Sequence, residues 1–195
     1  MYLPKHFEVT DDLEKLAFIE AHNFGQLISQ VDGRLFSTHL PFLLNKEKMC
    51  LLGHVARQNP QHKQITGQEV LITFQGAHDY ISPSWFATPG VPTWNYQAVH
   101  VYGQCELIEE PEAIAGIVDA LTDKHEAGFE KPWQPEYKAA MLNAIIGLEI
   151  SIDEIQGKYK MSQNRSEQDQ NQIIEKLSLL DSQELADEMQ RNKQR

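Results

Sequence analysis

The sequence has few cysteines and no long apolar run. Its two cysteines, Cys50 and Cys105, show no Cys-x-x-Cys spacing and lie in strand-like segments, so we predict buried thiols rather than a disulfide or a metal pair. No stretch approaches the roughly 20 apolar residues that cross a bilayer, and residues 1–8 lack the uninterrupted apolar region of a signal peptide. We therefore expect a cytoplasmic protein with no membrane partner.

Positive charge is also scarce in the 195 residues. Lysine and arginine total 17 against 28 acidic residues, which gives a formal net charge of −11. Such a balance repels nucleic-acid phosphates and anionic lipid surfaces. The basic residues near the C-terminus are interleaved with acidic ones. We therefore do not expect direct, sequence-specific DNA binding to be the primary activity.

Several common catalytic motifs are missing. The sequence contains no Gly-x-x-x-x-Gly-Lys-Ser/Thr, no Gly-x-Gly-x-x-Gly and no His-Glu-x-x-His, so nucleotide hydrolysis, a Rossmann cofactor and zincin chemistry have no support. No Gly-x-Ser-x-Gly surrounds a serine. Histidines lie on separate segments without paired acidic or cysteine ligands, which argues against a metal site: His39, His54, His78 and His100.

Strand-forming segments dominate the first half of the chain. Their β-branched and aromatic residues predict strands over 24–31, 34–44, 49–56, 69–76 and 98–108. Asp32-Gly33 between the first two is a two-residue hairpin signal. Because most of these strands follow one another closely without helices between them, we predict an antiparallel barrel or sandwich rather than a parallel α/β sheet.

Helical patterns flank the predicted strands. A helix is expected over about 11–22, another over about 110–125 and a third from Trp133, with Tyr137, Met141, Leu142 and Ile145 on its buried side. A further strand is predicted over 147–155. The fold class is therefore mainly β with flanking helices (α+β). From residue 166 a sparse apolar stripe predicts a helical tail, so we divide the chain into a domain over 1–165 and a tail over 166–195.

Polar and aromatic residues concentrate at the ends of the predicted strands. Residues 91–103 form a proline-led loop that runs into a strand, with Trp94 and Asn95 placed to stack on and hydrogen-bond a flat ligand. Residues 79–86 have a similar composition. The alternative is that Trp94 and Tyr96 are ordinary core aromatics with satisfied polar tips.

Three other segments add hydroxyl, imidazole, amide and cationic groups: 37–39, 54–57 and 158–164. This mixture suits a ligand that has a flat heteroaromatic end and a phosphate end. FMN is one such ligand. The alternative for Lys158 and Lys160 is a solvated, charged strand end, and ordinary strand histidines explain His39 and His54 equally well.

Five ordered motifs together resemble the PaiB family, described as FMN-binding negative transcriptional regulators: Ser-Thr-His-Leu-Pro (37–41), Gly-His-Val-Ala-Arg-Gln-Asn-Pro (53–60), Tyr-Ile-Ser-Pro-Ser-Trp-Phe (80–86), Val-Pro-Thr-Trp-Asn-Tyr (91–96) and Gly-Lys-Tyr-Lys-Met-Ser-Gln-Asn (157–164). The resemblance covers roughly residues 1–177. It implies the antiparallel split β-barrel of the FMN-binding type, in which two chains form a homodimer and hold flavin between them.

The resemblance also implies where the cofactor would lie. One group of residues would line the isoalloxazine ring: Ser37, Thr38 and His39. The next would approach the ribityl chain and phosphate: His54, Val55, Ala56, Arg57 and Asn59. The partner chain would contribute Trp94 and Asn95, and four further residues would close the pocket: Lys158, Lys160, Ser162 and Gln163.

This sequence departs from the related pattern at two places. Pyridoxamine phosphate oxidases have a lysine after the strand-end arginine, whereas Gln58 follows Arg57 here. The phosphate would then be held less tightly, or by a lysine of another chain. The tail beyond about Leu177 is not explained by the family pattern.

Two functions remain open on the sequence. The family description implies a flavin-binding regulator, and the relatives of the fold imply a flavin-dependent oxidoreductase of a small molecule. A third alternative is a barrel that binds haem or another planar ligand in place of flavin. The sequence identifies no catalytic acid or base.

Overall fold

The computed structural model describes residues 1–135, 137 and 139–194. Its strands are β1 Glu8–Val9, β2 Phe24–Val31, β3 Arg34–Pro41, β4 Leu43–Asn45, β5 Cys50–Ala56, β6 Glu69–Ile81, β7 Thr93–Ile108, β8 Ile145–Ser151 and β9 Glu154–Lys160. Its α-helices are α1 Asp12–Ala21, α2 Pro111–Glu126, α3 Ala139–Leu142, α4 Glu167–Leu179 and α5 Gln183–Lys193. Short 3-10 helices cover Lys5–Phe7, Pro60–Lys63 and Pro83–Trp85.

Hydrogen bonds join the strands into a mainly antiparallel sheet. The order of bonded neighbours is β3-β2-β6-β7-β8-β5-β4, with β9 paired to β7 and β1 paired to β9. The pairs β2–β3, β2–β6, β5–β8 and β7–β8 are antiparallel. The prediction of an antiparallel β fold with flanking helices is therefore confirmed.

The β2–β3 hairpin forms as the sequence predicts. Asp32 and Gly33 have φ angles of 51° and 74°, the left-handed values that a two-residue turn between right-handed twisted strands requires. The register places Val31 opposite Arg34 and Phe24 opposite Pro41. Asp32-Gly33 therefore determines the register of the hairpin.

Two predicted strands are each divided in the structure. The strand expected over 34–44 ends at Pro41, and Leu43–Asn45 pairs with β5 instead of β2. Between them Phe42 is fully buried; its backbone N–H donates to the Asn23 carbonyl at 2.8 Å, and its carbonyl accepts from the Asn23 side-chain Nδ2 at 3.0 Å. Likewise the strand expected over 147–155 ends at Ser151 and a new strand begins at Glu154, so both single-strand predictions were wrong.

Other boundaries also differ from the prediction. β6 and β7 are longer than expected, so Trp94 and Asn95 lie inside β7 rather than before it. Lys158 and Lys160 were expected after the last strand but lie inside β9. The helix predicted from Trp133 falls partly on residues 136 and 138, which lie outside the described residues. Met141 was expected to be buried but is 63% exposed.

Contacts along the backbone divide the chain into two compact units. The first contains Met1–Phe18, Gln75–Val99 and Gln156–Arg195, and the second contains Ile19–Phe74 and His100–Ile155. Both predicted thiols are buried, and burial, with a smaller effect of Glu106, raises the pKa of Cys105 to about 12. In the part of the chain that the structure describes, no helix is both long and apolar enough to span a membrane.

Each unit has its own apolar core. In the first unit α4 and α5 bury five apolar side chains: Ile173, Leu177, Leu185, Ala186 and Met189. In the second unit Phe42 and Phe74 are fully buried and meet edge to face at 5.6 Å. There α2 buries Ile114, Ile117 and Leu121.

Candidate functional site

The predicted site residues divide between the two units. The second unit contains the residues that the resemblance assigns to the ring, ribityl chain and phosphate: Ser37, Thr38, His39, His54, Val55, Ala56, Arg57 and Asn59. The first unit contains the others: Trp94, Asn95, Lys158, Lys160, Ser162 and Gln163. Each group is described within its own unit.

In the second unit, the β2–β3 hairpin separates Thr38 from its two neighbours. Successive side chains of a strand point to opposite faces, and residues directly opposite in the register share a face. Ser37 and His39 are exposed and pair with Ile28 and Gln26, whereas Thr38 is half-buried and pairs with the fully buried Leu27. The three consecutive residues therefore do not present their side chains to a single surface.

Ser37 and His39 belong to an exposed surface of the hairpin. We call it the open face and define it by Phe24, Gln26, Ile28, Leu35, Ser37 and His39. Phe24 is 63% and Leu35 79% exposed, and the Phe24 ring stacks on His39 at 6.1 Å between ring centroids. A cavity of about 600 Å³ adjoins it, lined by Ile28, Leu35, Leu71 and Tyr102 among others. The open face thus combines apolar area with one imidazole and one hydroxyl.

Thr38 belongs instead to a partly buried hydrogen-bonded group, which we call the Gln61 cluster: Ser29, Thr38, Asn59 and Gln61. Thr38 Oγ1 donates to Gln61 Oε1 at 2.7 Å and accepts from Asn59 Nδ2 at 2.8 Å. Gln61 is only 1% exposed, and its Nε2 donates to Ser29 Oγ at 2.9 Å and to the Leu27 carbonyl at 3.3 Å. The structure therefore brings Thr38 and Asn59 together, although they lie on separate segments.

The end of β5 orients the next predicted residues in different directions. Val55 is buried, and Ala56 is exposed. His54 lines a cavity of about 310 Å³ together with Leu121, His125 and Trp133 among others. Burial lowers the pKa of His54 below 6.5, and its buried Nδ1 has no hydrogen-bond partner. His54 therefore lies on the side of the sheet that faces α2, where burial favours its neutral form.

Arg57 follows β5 directly and carries an accessible guanidinium group. Its backbone N–H donates to the Ala144 carbonyl at 2.8 Å, which fixes the start of the turn. The side chain is 40% exposed and lies 3.9 Å from a carboxylate oxygen of Glu109. Such a long, solvated ion pair holds the guanidinium weakly. The group is therefore available to an anionic ligand.

In the first unit, Trp94 lies on an exposed aromatic surface. Its side chain is 53% exposed, its ring stacks with His78 at 6.5 Å, and it meets Tyr80 edge to face at 6.3 Å between centroids. Indole and phenol rings at the surface offer planar area to another ring system. The sequence prediction that Trp94 could stack on a flat ligand is compatible with this exposure.

Asn95 and Ser162 are buried and hydrogen-bond each other. Asn95 Nδ2 donates to Ser162 Oγ at 2.9 Å, and the Ser162 hydroxyl and Asn95 Oδ1 are 3.1 Å apart. Asn95 Nδ2 also approaches the Met189 sulfur of α5 at 3.4 Å. Asn95 is fully buried and Ser162 is 5% exposed. In this structure the pair joins β7 to the turn after β9 and to α5, and both side chains are buried.

The two lysines of β9 are occupied by neighbouring groups of the first unit. Lys158 is 8% exposed, donates to the Tyr2 carbonyl at 3.0 Å and lies 5.4 Å from the centroids of both the Tyr2 and Tyr96 rings. Lys160 donates to the Trp94 carbonyl at 2.5 Å and to the Thr93 hydroxyl. Burial, followed by the positive charges of Lys158 and Arg165, lowers the pKa of Lys160.

Gln163 folds back on its own turn. Its Oε1 accepts from the Met161 backbone N–H at 2.7 Å, and its Nε2 donates to the Tyr159 carbonyl at 2.6 Å. Both ends of the amide are therefore used within a few residues of chain.

Comparison with known proteins identifies the family of this chain. Residues 1–154 match the family described as "Putative FMN-binding domain". The chain is also 39% identical over 185 residues to "Protease synthase and sporulation protein PAI 2" of Bacillus subtilis, an alignment that covers 91% of this chain and 89% of that protein. The chain belongs to the PaiB family.

Solved structures show that this PaiB-family chain has the split-barrel fold that the resemblance implied. The flavocytochrome Anf3 of Azotobacter vinelandii superposes with a TM-score of 0.68 at 18% identity, covering 86% of this chain and 77% of that chain. The FAD and heme binding protein of Mycobacterium smegmatis superposes with a TM-score of 0.62 at 18% identity, covering 78% and 73% respectively.

Sequence reasoning did not single out Gln61. The Asn59-Pro60 pair does predict the start of a short helix, because Asn59 Oδ1 accepts from the Gln61 backbone N–H at 3.0 Å and Pro60 takes the first helical position. That signal locates Gln61 in the first turn. Its partners Leu27 and Ser29 are more than 30 positions earlier in the chain, so only the tertiary structure connects them with this PaiB-family motif.

Proposed function

We propose that this PaiB-family protein binds FMN as a homodimer. The observation that carries the proposal is the 2.8 Å hydrogen bond between Asn59 and Thr38. Family resemblance assigns Thr38 to the ring of the cofactor and Asn59 to its ribityl and phosphate end. Residues that the family uses for adjoining parts of one ligand are thus adjacent in this chain.

Arg57 supplies the cation for the phosphate end. Its guanidinium is 40% exposed and only weakly paired with Glu109, and a guanidinium offers phosphate a paired donor fork. Arg57 precedes Asn59 by two residues, so both belong to the turn that follows β5. The chain therefore contributes a polar and cationic segment for ribityl and phosphate groups.

The open face supplies planar and apolar area for the ring and for a second copy of the chain. Exposed Phe24 and Leu35 lie towards opposite ends of this face, with Ile28 between them, and removing such apolar side chains from water favours association. Ser37 and His39 lie on the same face. A second copy that covers this face would bury the apolar side chains and place its own residues beside Ser37 and His39.

Bound FMN supplies reversible one- and two-electron chemistry. The chain's own groups bind and orient it, and His39 places an exposed imidazole on the open face. The exposed imidazole of His39 on the proposed ring-binding face favours a second candidate role, a flavin-dependent oxidoreductase of a small molecule. We also keep the regulatory role that the family description names, as indirect regulation in which this chain does not itself bind DNA.

The placement of the positive charges is the reason for proposing indirect regulation. DNA binding through counterion release needs several cations gathered on one face. Four cations contact carboxylates: Lys46 with Glu20, Lys48 with Glu149, Arg191 with Glu188 and Lys193 with Glu167. Lys158 and Lys160 lie near each other, but they donate to backbone carbonyls and belong to the residues assigned to the cofactor. Regulation would then proceed through a flavin-dependent reaction or a protein partner.

The test begins with the absorption spectrum of the purified protein and the identity of the chromophore released on denaturation. FMN, with tighter binding of added FMN than of FAD and a dimeric mass by light scattering, would support the proposal. Released FAD or haem, or no loading of FMN at tens of micromolar, would overturn it. Sub-micromolar binding of its own promoter DNA at about 0.1 M salt, surviving nonspecific competitor, would restore direct DNA binding.

A further inference from the structure

In the Gln61 cluster, which group donates and which accepts is fixed, because two backbone groups with only one possible role bond to its side-chain amides. A carbonyl only accepts, so the Leu27 carbonyl identifies the nearer end of the Gln61 amide as its NH₂ group. A backbone N–H only donates, so the Gln61 N–H identifies its partner on Asn59 as the amide oxygen. The orientation of both side-chain amides follows from these two anchors.

These orientations determine the proton of the Thr38 hydroxyl group. Gln61 presents its amide oxygen to Thr38, at 2.7 Å, so the hydroxyl must donate there. Asn59 presents its NH₂ group, at 2.8 Å, so the hydroxyl oxygen must also accept. A hydroxyl has one proton and two lone pairs. Thr38 therefore retains one lone pair and no proton for any further partner.

We infer that Gln61 is a positioning residue, which makes Thr38 a pure hydrogen-bond acceptor toward the bound ligand. The inference rests on the proposed FMN function, since Thr38 belongs to the residues that the family uses for the cofactor. The group that it selects is a hydrogen-bond donor. FMN carries such donors in two places, the imide N3–H of the ring and the hydroxyls of the ribityl chain.

Burial makes this direction rigid. Gln61 is 1% and Ser29 4% exposed, whereas Thr38 is half-buried. Reversing the Gln61 amide would place its oxygen against the Leu27 carbonyl, a contact between two acceptors without a proton. The site therefore meets its ligand with the acceptor already oriented, which reduces the ordering required on binding.

The first test is a double-mutant cycle on FMN affinity, measured by quenching of flavin fluorescence. Thr38→Val and Gln61→Met should each weaken FMN binding by about tenfold or more, which corresponds to the loss of one hydrogen bond near a preorganised acceptor. Because they disrupt the same interaction, the double variant should bind FMN within about threefold of the weaker single variant. Thr38→Ser, which keeps the hydroxyl, should bind nearly as tightly as wild type.

Gln68→Met is the matched control. Gln68 also uses both ends of its amide, with Nε2 donating to the Gln30 and Gln64 carbonyls at 3.0 and 2.6 Å and Oε1 accepting from the Gln30 N–H at 2.9 Å, but no bond links it to Thr38. Its loss should lower the thermal midpoint while FMN affinity stays within about twofold of wild type. Fully multiplicative effects of Thr38→Val and Gln61→Met would mean that Gln61 is only structural, and would overturn the inference.

A second measurement keeps the inference testable if Gln61→Met does not fold. Wild type and Thr38→Val are titrated with FMN, with N3-methyl FMN and with 2′-, 3′- and 4′-deoxyribityl FMN. Wild type should bind one of these analogues at least about tenfold more weakly than FMN, and Thr38→Val should lose that discrimination. Weaker binding of N3-methyl FMN would identify the ring imide as the donor to Thr38, and weaker binding of a deoxyribityl analogue would identify the ribityl hydroxyl that it lacks. Equal discrimination by both proteins would overturn the inference alone, whereas failure of wild type to bind FMN would overturn the proposed function as well.

Discussion

Replacing Arg57 by alanine should separate affinity for a phosphate from stability of the fold. The guanidinium lies 3.9 Å from Glu109, and the two side chains are 40% and 69% exposed. Exposed ion pairs of this kind contribute about 0–1 kcal/mol. We therefore expect the free energy of unfolding of the apoprotein to fall by about 0.5 kcal/mol or less. The backbone bond from Arg57 N–H to Ala144 is unaffected by the substitution.

The effect on FMN should be much larger. A hydrogen bond between charged groups contributes about 1.5–3 kcal/mol, so Arg57→Ala should weaken FMN binding by about ten- to a hundredfold. Riboflavin lacks the phosphate, and its affinity should not change. The assay is fluorescence titration of apoprotein with FMN and with riboflavin, alongside urea unfolding of the same preparations.

Lys48→Ala is the control for Arg57→Ala. Lys48 lies 3.8 Å from Glu149 in a comparably exposed ion pair of the same unit, but it is not among the residues assigned to the ligand. Its removal should leave both affinities unchanged. If Arg57→Ala bound FMN as tightly as wild type, or lost riboflavin and FMN equally, the assignment of Arg57 to the phosphate would be refuted.

Three further predictions concern the core, pH and assembly. Asn95→Ala should lower the free energy of unfolding by about 1–3 kcal/mol in urea titrations, because it leaves the buried Ser162 hydroxyl without its amide partner; an unchanged value would contradict the role given to the pair. Because burial lowers the pKa of His54 below 6.5, the unfolded chain binds its proton more readily, so the free energy of unfolding should fall as pH drops from about 7 to about 5. His54→Gln should flatten that dependence, and an equally steep profile would count against it. Leu35→Lys on the open face should give a monomer by light scattering, whereas Leu13→Lys, which changes a similarly exposed residue of α1, should leave the dimer intact; a dimeric Leu35→Lys protein would place the interface elsewhere.

Prediction of the fold succeeded where a local pattern carried enough information. Asp32-Gly33 determines a turn and thereby a register, and the helix expected over about 110–125 forms as α2, Pro111–Glu126. The fold prediction failed where the chain stops pairing with one strand and begins to pair with another. Pro41, Phe42 and Leu43 read as continuous strand, but full burial of Phe42 and its bonds to Asn23 end one pairing and start another. Such a break depends on residues far away in the sequence.

The site shows the same division between local and tertiary information. The resemblance to the PaiB family rested on five ordered motifs, which include the segments around Thr38, Arg57 and Trp94. The sequence could not reveal that Asn95 and Ser162 bond each other out of contact with solvent, or that Lys158 lies between two tyrosine rings. Whether a polar side chain serves a ligand or the core depends on which groups fold against it.

By itself, then, the sequence determined the strand-rich class, the hairpin and the chemical types of the candidate site, since these follow from local geometry and residue chemistry, while its ordered motifs carried the resemblance to the family. Only the tertiary structure decided that Thr38 faces inward while Ser37 and His39 face outward, and that Gln61 joins Thr38 to Asn59. The physical reason is that hydrogen-bond direction and burial depend on partners distant in the chain. Gln61 reaches Leu27 and Ser29 only because the fold places that short helix against β2.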